Sequence, residues 1–422
     1  MNLPHKKQLQ GTLTVPPDKS ISHRAVLFAS IAKGRCRIQN FLPSDDCLST
    51  ISCMRQLGVS IQQNDREVIV QGKGLGGLTE SVKPLYTGNS GTTTRLLTGI
   101  LCGQPFRTQI SGDPSICRRP MNRIITPLSA MGARIASQEG FCPMTVSPAS
   151  LKGISYAMPQ DSAQVKSAIL LAGLYAQGVT SVTEKNKSRD HTERMLSAFG
   201  CQVKTEGNTV SLTPPQELYP YDIEVVGDIS SAAFFLVAGS ILPNSCITVQ
   251  NVGMNPTRTG VLDVLEEMGA DITVENERMI GGEPAADLTV RSASLKGVAF
   301  GGEIIPRLID EIPILAVAAA FAQGETVISG AQELKVKETN RVDTVCSELK
   351  KAGADITPTP DGMIIRGGAP LHGASFDSHG DHRIAMACAV LACGAEGESQ
   401  LYDPDCVSVS FPGFFPLLDR LS

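Results

Sequence analysis

Basic side chains recur where a Gly-, Ser- or Asp-rich stretch turns into an apolar run. The clearest instance is Leu85-Tyr86-Thr87-Gly88-Asn89-Ser90-Gly91-Thr92-Thr93-Thr94-Arg95-Leu96. Its glycines and Asn89 admit turn conformations, and Ser90 or Thr92 can cap a helix running to about Cys102. A helix start offers unpaired N–H groups and a partial positive charge. Arg95, one turn in, adds a planar fork suited to phosphate or carboxylate. Lys19, Ser20 and Arg24 hold the equivalent place in Asp18-Lys19-Ser20-Ile21-Ser22-His23-Arg24. Arg119 follows the turn-rich Ser111-Gly112-Asp113-Pro114, and Pro120 is expected to open a helix just beyond it. Lys337, Arg341 and Arg383 extend the set. Any one of these alone reads as a solvated charge. So many cations at helix starts in an acidic protein read instead as a site for a doubly anionic substrate pair.

Two acidic positions complement them. Asp310-Glu311 stands before Ile312-Pro313, at the front of the most apolar helix, where an aspartate is either an N-cap or a base. Glu338 lies between cations in Lys335-Val336-Lys337-Glu338-Thr339-Asn340-Arg341, so it stays ionised unless burial or a reacting partner adjusts it. A basic carboxylate and a second proton donor flanked by phosphate-binding residues suit an addition–elimination on a phosphorylated substrate. Metal chemistry would need more than His379-Gly380-Asp381-His382, which no further His/Cys cluster accompanies. Neither a Gly-x-Ser-x-Gly elbow nor a Gly-x-x-x-x-Gly-Lys-Ser/Thr loop occurs, and the glycine spacing at 88–91 is not a dinucleotide fingerprint.

Positioning these residues takes a large scaffold. With 422 residues, 42% hydrophobic, the chain can fill two or three cores, and a net charge of −5 argues against nucleic-acid or membrane-surface binding. The 12 cysteines, without a Cys-x-x-Cys pair, read as reduced, buried small hydrophobes, which points to a cytoplasmic location. Met1-Asn2-Leu3-Pro4-His5-Lys6-Lys7 has no apolar stretch behind it and is not read as a signal peptide. Apolar runs such as 312–322 fall short of the ~20 residues of a membrane span.

The polar-start, apolar-helix construction repeats six times, with Ser22, Thr92, Val165, Ser230, Ile312 and His382 as markers, in steps of 70, 73, 65, 82 and 70. A second, amphipathic helix with a shared ending lies in five of the units. It stops at Gly58, Gly132, Gly200, Gly269 or Gly353 and leads into a strand. No such helix is evident after 394, where the chain ends in Phe414 to Leu421. Each unit thus pairs a buried helix with an outer one beside alternating strands such as 67–70 and 363–366. The expected class is α/β (α+β) in two domains of three units, one over 18–228 and one over 1–17 plus 229–422, with the helix starts converging on a cleft between them.

Asp18-Lys19-Ser20-x-Ser22-His23-Arg24, Gly88 to Arg95, Arg119-Pro120-Met121, Lys337 to Arg341 and Asp381-His382-Arg383 resemble, in order, the signatures of the 5-enolpyruvylshikimate-3-phosphate (EPSP) synthases. The resemblance spans essentially the whole chain. It implies a two-domain inside-out α/β barrel with three βαβαββ repeats per domain. It also implies enolpyruvyl transfer from phosphoenolpyruvate to the 5-hydroxyl of shikimate 3-phosphate, by a monomer with no metal or organic cofactor. Carried over by motif, Lys19 touches both substrates. Ser20, Arg24, Ser162, Ala163, Gln164 and Arg189 hold shikimate 3-phosphate, and Gln164 also reaches phosphoenolpyruvate. Gly91, Arg119, Arg341 and Arg383 bind phosphoenolpyruvate. Asp310 takes the 5-hydroxyl proton, Lys337 steadies the sugar, and Glu338 or Lys19 protonates the methylene carbon.

Some positions depart from the family pattern. Pro17 stands where Gly is usual, Ala163 where many relatives have Ser, and Val409 where some place a phosphoenolpyruvate-binding Lys. Gly91 leaves room for the inhibitor glyphosate, so sensitivity is expected. The sibling enolpyruvyl transferases acting on UDP-N-acetylglucosamine use a loop cysteine several residues before the loop arginine, whereas Cys117 is only two residues before Arg119. A binding protein that kept the fold without catalysis would have no need of Asp310 and Glu338.

Overall fold

The computed structural model describes residues 1–422, which divide into two compact units, Pro17–Val225 and Met1–Pro16 with Val226–Ser422. Inner helices of small and branched apolar residues form the heart of each. In Pro17–Val225 they are Lys19–Ile31, Gly91–Leu101 and Ala163–Gly173. In the other unit they are Ile229–Ile241, Ile312–Phe321 and His382–Gly394. All are buried on nearly every side, so packing against neighbours rather than amphipathic patterning holds them. Close approach depends on small residues. A Cβ on Gly99 would lie 2.4 Å from the Ala168 carbonyl of the adjacent inner helix.

Side chains fix the polar ends of five of these helices. Asp18 accepts from Ile21 N at 2.9 Å, Ser90 from Thr93 N at 3.1 Å and Ser162 from Val165 N at 3.5 Å. Asp228 accepts from Ser230 N at 2.9 Å and Asp381 from Arg383 N at 3.0 Å. The helix Ile312–Phe321 differs: Glu311 occupies its N-cap without a side-chain cap bond. Asp310 is therefore not that helix's cap, and Pro313 in the first turn already removes one donor that would need capping.

Outer amphipathic helices end as their glycines require. Gly58, Gly132, Gly200, Gly269 and Gly353 have φ between 85° and 100°, the left-handed region that a side chain would strain. Strands then form six small sheets, five of them built as a parallel pair extended by an antiparallel hairpin. Leu85–Tyr86 runs parallel to Thr108–Ser111, and Phe141–Ser147 lies between that strand and Arg134–Gln138. Three strands pair far out of sequence order. Gln10–Thr14 joins Cys246–Gly253, and Ile223–Glu224 joins Lys33–Gln39. The last sheet is closed by Asn2–Leu3 against Ser399–Tyr402. Phe414–Arg420 forms a helix whose Phe414 packs with Phe234, Phe235 and Phe411 at centroid distances of 5.3–5.9 Å.

One expectation fails locally. Pro120 does not open a helix; the next one is Asn122–Ala130, with Met121 at its N-cap and Met121 N donating to the Gly140 carbonyl at 2.8 Å. A short helix Pro114–Cys117, capped by Asp113, precedes Arg119 instead.

Candidate active site

Within Pro17–Val225, the inner-helix starts bring the expected cations onto neighbouring turns. Lys19 Nζ lies 3.1 Å from Asp46 Oδ2, on the helix Asp45–Gln56. Arg24 is buried and is held by three bonds within the protein: Nε donates to Thr192 Oγ1 at 2.7 Å, Nη1 to the Ser20 carbonyl at 3.0 Å and Nη2 to Ser167 Oγ at 2.9 Å. Arg189 Nη1 reaches Ser20 Oγ at 3.4 Å. Gly91 begins its helix between two guanidinium groups, since a Cβ there would lie 2.9 Å from Arg95 Nη1 and 3.1 Å from Arg119 Nη1. Arg119 is aimed by Asn89 Oδ1 at 3.0 Å. Gln164 is held at both ends of its amide, accepting from Arg95 and donating to Thr92 Oγ1 at 3.0 Å. Ser162 caps the helix on which Ala163 is the first residue.

A buried polar chain backs this group. His23 Nδ1 meets Thr50 Oγ1 at 2.7 Å, Thr50 meets Thr93 at 2.7 Å, and Thr93 donates to the cap Ser90 at 2.7 Å. Burial, followed by the charges of Lys19 and Arg24, holds the His23 pKa well below its usual 6.5. The ring is therefore neutral and serves as a hydrogen-bonding strut.

The other unit assembles the carboxylates. Asp310 Oδ1 lies 3.2 Å from Lys337 Nζ and 3.4 Å from Arg341 Nη1. Arg341 also pairs with Glu338 Oε2 at 2.6 Å, and with both oxygens of Asp381 at 2.8 and 3.1 Å. Its side chain is 1% exposed; burial opposes its charge, but Asp381, Glu338 and Asp310 more than offset that cost. Arg383 is different in kind. Its guanidinium approaches Asp310 Oδ2 at 3.9 Å and Glu311 Oε1 at 4.0 Å, and makes no hydrogen bond within the protein. Its fork is preset by charge yet unspent. Behind it, Arg258 bridges Asp228 Oδ1 at 3.0 Å and Ser230 Oγ at 2.6 Å, and Ser230 donates to the buried Glu311.

The structure thus gathers Lys19, Ser20, Arg24, Gly91, Arg119, Ser162, Ala163, Gln164 and Arg189 in one unit. Asp310, Lys337, Glu338, Arg341 and Arg383 come together in the other. Val409 ends the short 3-10 helix Pro404–Val409. Cys117 Sγ turns back to the Gly112 carbonyl at 3.6 Å, and His379 Nε2 bonds Glu348 Oε1 at 2.8 Å. Reading the sequence did not identify Asp46, Thr192 or Ser167 as partners, nor Asp381 as the main counter-ion of Arg341. Asn89 and Thr92, lying inside the Gly-rich loop, could have been found there. Chemically, the first group offers fixed donors to anions. The second offers two carboxylates for proton transfer beside an unsatisfied anion fork.

Comparison with known proteins accords with this geometry. The family model for EPSP synthase (3-phosphoshikimate 1-carboxyvinyltransferase) matches residues 3–418. A 3-phosphoshikimate 1-carboxyvinyltransferase of Bacillus cereus is 57% identical over 421 residues, covering 99% of this chain and 98% of its own. One from Bacillus thuringiensis is 56% identical with the same coverage. Among solved structures, EPSP synthase from Acinetobacter baumannii superposes with a TM-score of 0.88 at 46% identity, covering 100% of this chain and 97% of that one. From sequence, fold and site together, the chain belongs to the EPSP synthase family.

Proposed function

We infer that this protein transfers the enolpyruvyl group of phosphoenolpyruvate to the 5-hydroxyl of shikimate 3-phosphate, releasing phosphate, in the route to chorismate and the aromatic amino acids. The observation that carries the reading is a pair of carboxylates, Asp310 and Glu338, on one buried arginine, Arg341, next to the unspent fork of Arg383.

Lys19, Ser20, Arg24, Ser162, Ala163, Gln164, Arg189 and Lys337 bind shikimate 3-phosphate, and Lys19, Gly91, Arg119, Gln164, Arg341 and Arg383 bind phosphoenolpyruvate. Asp310 accepts the 5-hydroxyl proton as that oxygen attacks C2 of phosphoenolpyruvate, and a proton reaches the methylene carbon. The result is a tetrahedral ketal with a new methyl group. Loss of a methyl proton, with proton donation to the bridging oxygen, then expels phosphate and restores the double bond. Glu338 is ion-paired to Arg341, so it starts as a carboxylate. An arriving substrate anion competes for Arg341 and raises the proton affinity of Glu338, which fits it to donate. Lys19 is the alternative donor. Single-turnover trapping of the ketal distinguishes them, since only loss of the true donor abolishes ketal formation while both substrates still bind.

The reading takes the protein to act as a monomer. All 12 cysteines are free, which suits a reducing cytoplasm. No helix is long and apolar enough to cross a membrane. The reading is tested by acceptor-dependent phosphate release from phosphoenolpyruvate, comparing shikimate 3-phosphate with UDP-N-acetylglucosamine.

A further inference from the structure

The inner helix Ala163–Gly173 hides a lysine in an otherwise apolar run. Lys166 is buried, and its ammonium lies 2.7 Å from Glu184 Oε2, 2.7 Å from Glu193 Oε1 and 3.3 Å from the Ser188 carbonyl. Glu184 directly follows the strand Thr180–Thr183, and Glu193 stands in the first turn of the helix His191–Ala198. Glu184 also accepts from the Ser188 amide at 3.3 Å and from its hydroxyl. One ammonium therefore grips both ends and the middle of segment 184–193. That segment carries Arg189, which contacts Ser20, and Thr192, which accepts from Arg24 Nε and bonds Ser167 at 2.7 Å. Burial works against the Lys166 charge, but Glu193 and Glu184 outweigh it, so the ammonium persists. A buried ion cluster is a poor device for stability alone, because apolar residues of similar volume often do as well. Its value here is geometric.

We propose that Lys166 is a positioning residue for shikimate 3-phosphate, clamping segment 184–193 so that Arg189 and the Arg24–Thr192 pair meet the substrate in fixed register. This rests on the assignment of Arg24 and Arg189 to that substrate. Glu184→Gln removes one arm of the clamp and leaves Lys166 balanced by Glu193, so folding is preserved. The Lys166→Met/Glu184→Gln/Glu193→Gln triple removes the cluster without leaving a buried charge unpaired.

The test is shikimate 3-phosphate binding by calorimetry, with steady-state KM values for both substrates and a thermal midpoint. The clamp predicts shikimate 3-phosphate Kd and KM raised about tenfold in Glu184→Gln, and at least as much in the triple. The phosphoenolpyruvate KM and the midpoint should stay near wild type. A merely structural role would lower the midpoint and leave both KM values unchanged. In the Arg189→Ala background, Glu184→Gln should add less than it does alone. Wild-type shikimate 3-phosphate affinity in Glu184→Gln or in the triple overturns the clamp. Wild-type affinity in Arg189→Ala overturns the underlying assignment and the clamp with it.

Discussion

Replacing Arg383 with lysine separates binding from folding more cleanly than any other change in the site. The guanidinium makes no hydrogen bond within the protein, and its nearest carboxylate oxygens are at 3.9 and 4.0 Å. Lysine keeps the positive charge beside Asp310 and Glu311, so stability should change by no more than about 1 kcal/mol. It cannot reproduce a planar fork, so at least one of the two parallel hydrogen bonds to a bound anion is lost. A hydrogen bond to a charged group contributes about 1.5–3 kcal/mol. That corresponds to a rise of about 10- to 150-fold in the phosphoenolpyruvate KM or Kd. Steady-state kinetics with each substrate varied, together with thermal unfolding, read both quantities. The shikimate 3-phosphate KM should be little changed. Wild-type phosphoenolpyruvate kinetics in Arg383→Lys would refute the reasoning, because the fork would then hold no anion. A large loss of stability would also refute it, by showing a structural role that the contacts do not display.

Other outcomes follow from the same geometry. Asp310→Asn and Glu338→Gln should each lower kcat by about 10²- to 10⁴-fold while binding of both substrates persists; stopped-flow phosphate release measures this. Gly91→Ala places a methyl 2.9 Å from Arg95 Nη1 and 3.1 Å from Arg119 Nη1. The guanidinium ends must shift, so the phosphoenolpyruvate KM should rise about ten- to a hundredfold with shikimate 3-phosphate binding spared. Wild-type protein should be inhibited by glyphosate well below millimolar, and Gly91→Ala should blunt that inhibition in the same assay. His23 supplies a pH prediction. Its folded pKa lies well below the unfolded 6.5, so the unfolded chain takes up a proton first as pH falls. The stability contributed by neutral His23 is complete above about pH 6.5 and is lost as pH drops toward the folded pKa. Urea unfolding across pH 5–8 should show this loss, and His23→Gln should flatten it.

The parts of the architecture visible in the sequence are those governed by local chemistry. Gly58, Gly132, Gly200, Gly269 and Gly353 announce helix ends because the left-handed backbone there excludes side chains, and all have positive φ. Ser90, one of two caps expected for its helix, announces a helix start because orphan N–H groups need acceptors, and Asp18, Ser162 and Asp381 cap in the same way. Asp310 stayed open between two readings because an acid before an apolar helix looks the same whether it caps or pairs. Only the positions of Lys337 and Arg341 decide the matter, and they are set by tertiary packing. The same limit hid the partners of Arg24, since Ser167 and Thr192 lie 143 and 168 residues along the chain. Lys166 was passed over because its neighbours in sequence are apolar, whereas its neutralising carboxylates belong to a later strand end and helix. Periodicity gives the repeat; lateral pairing between repeats is decided by volumes and charges that no spacing encodes.

The most direct test of the central claim is phosphate release from phosphoenolpyruvate by the purified protein, with shikimate 3-phosphate or UDP-N-acetylglucosamine as acceptor. The account predicts release with shikimate 3-phosphate alone, matched mole for mole by 5-enolpyruvylshikimate 3-phosphate. Release with UDP-N-acetylglucosamine, or with neither acceptor, would contradict it.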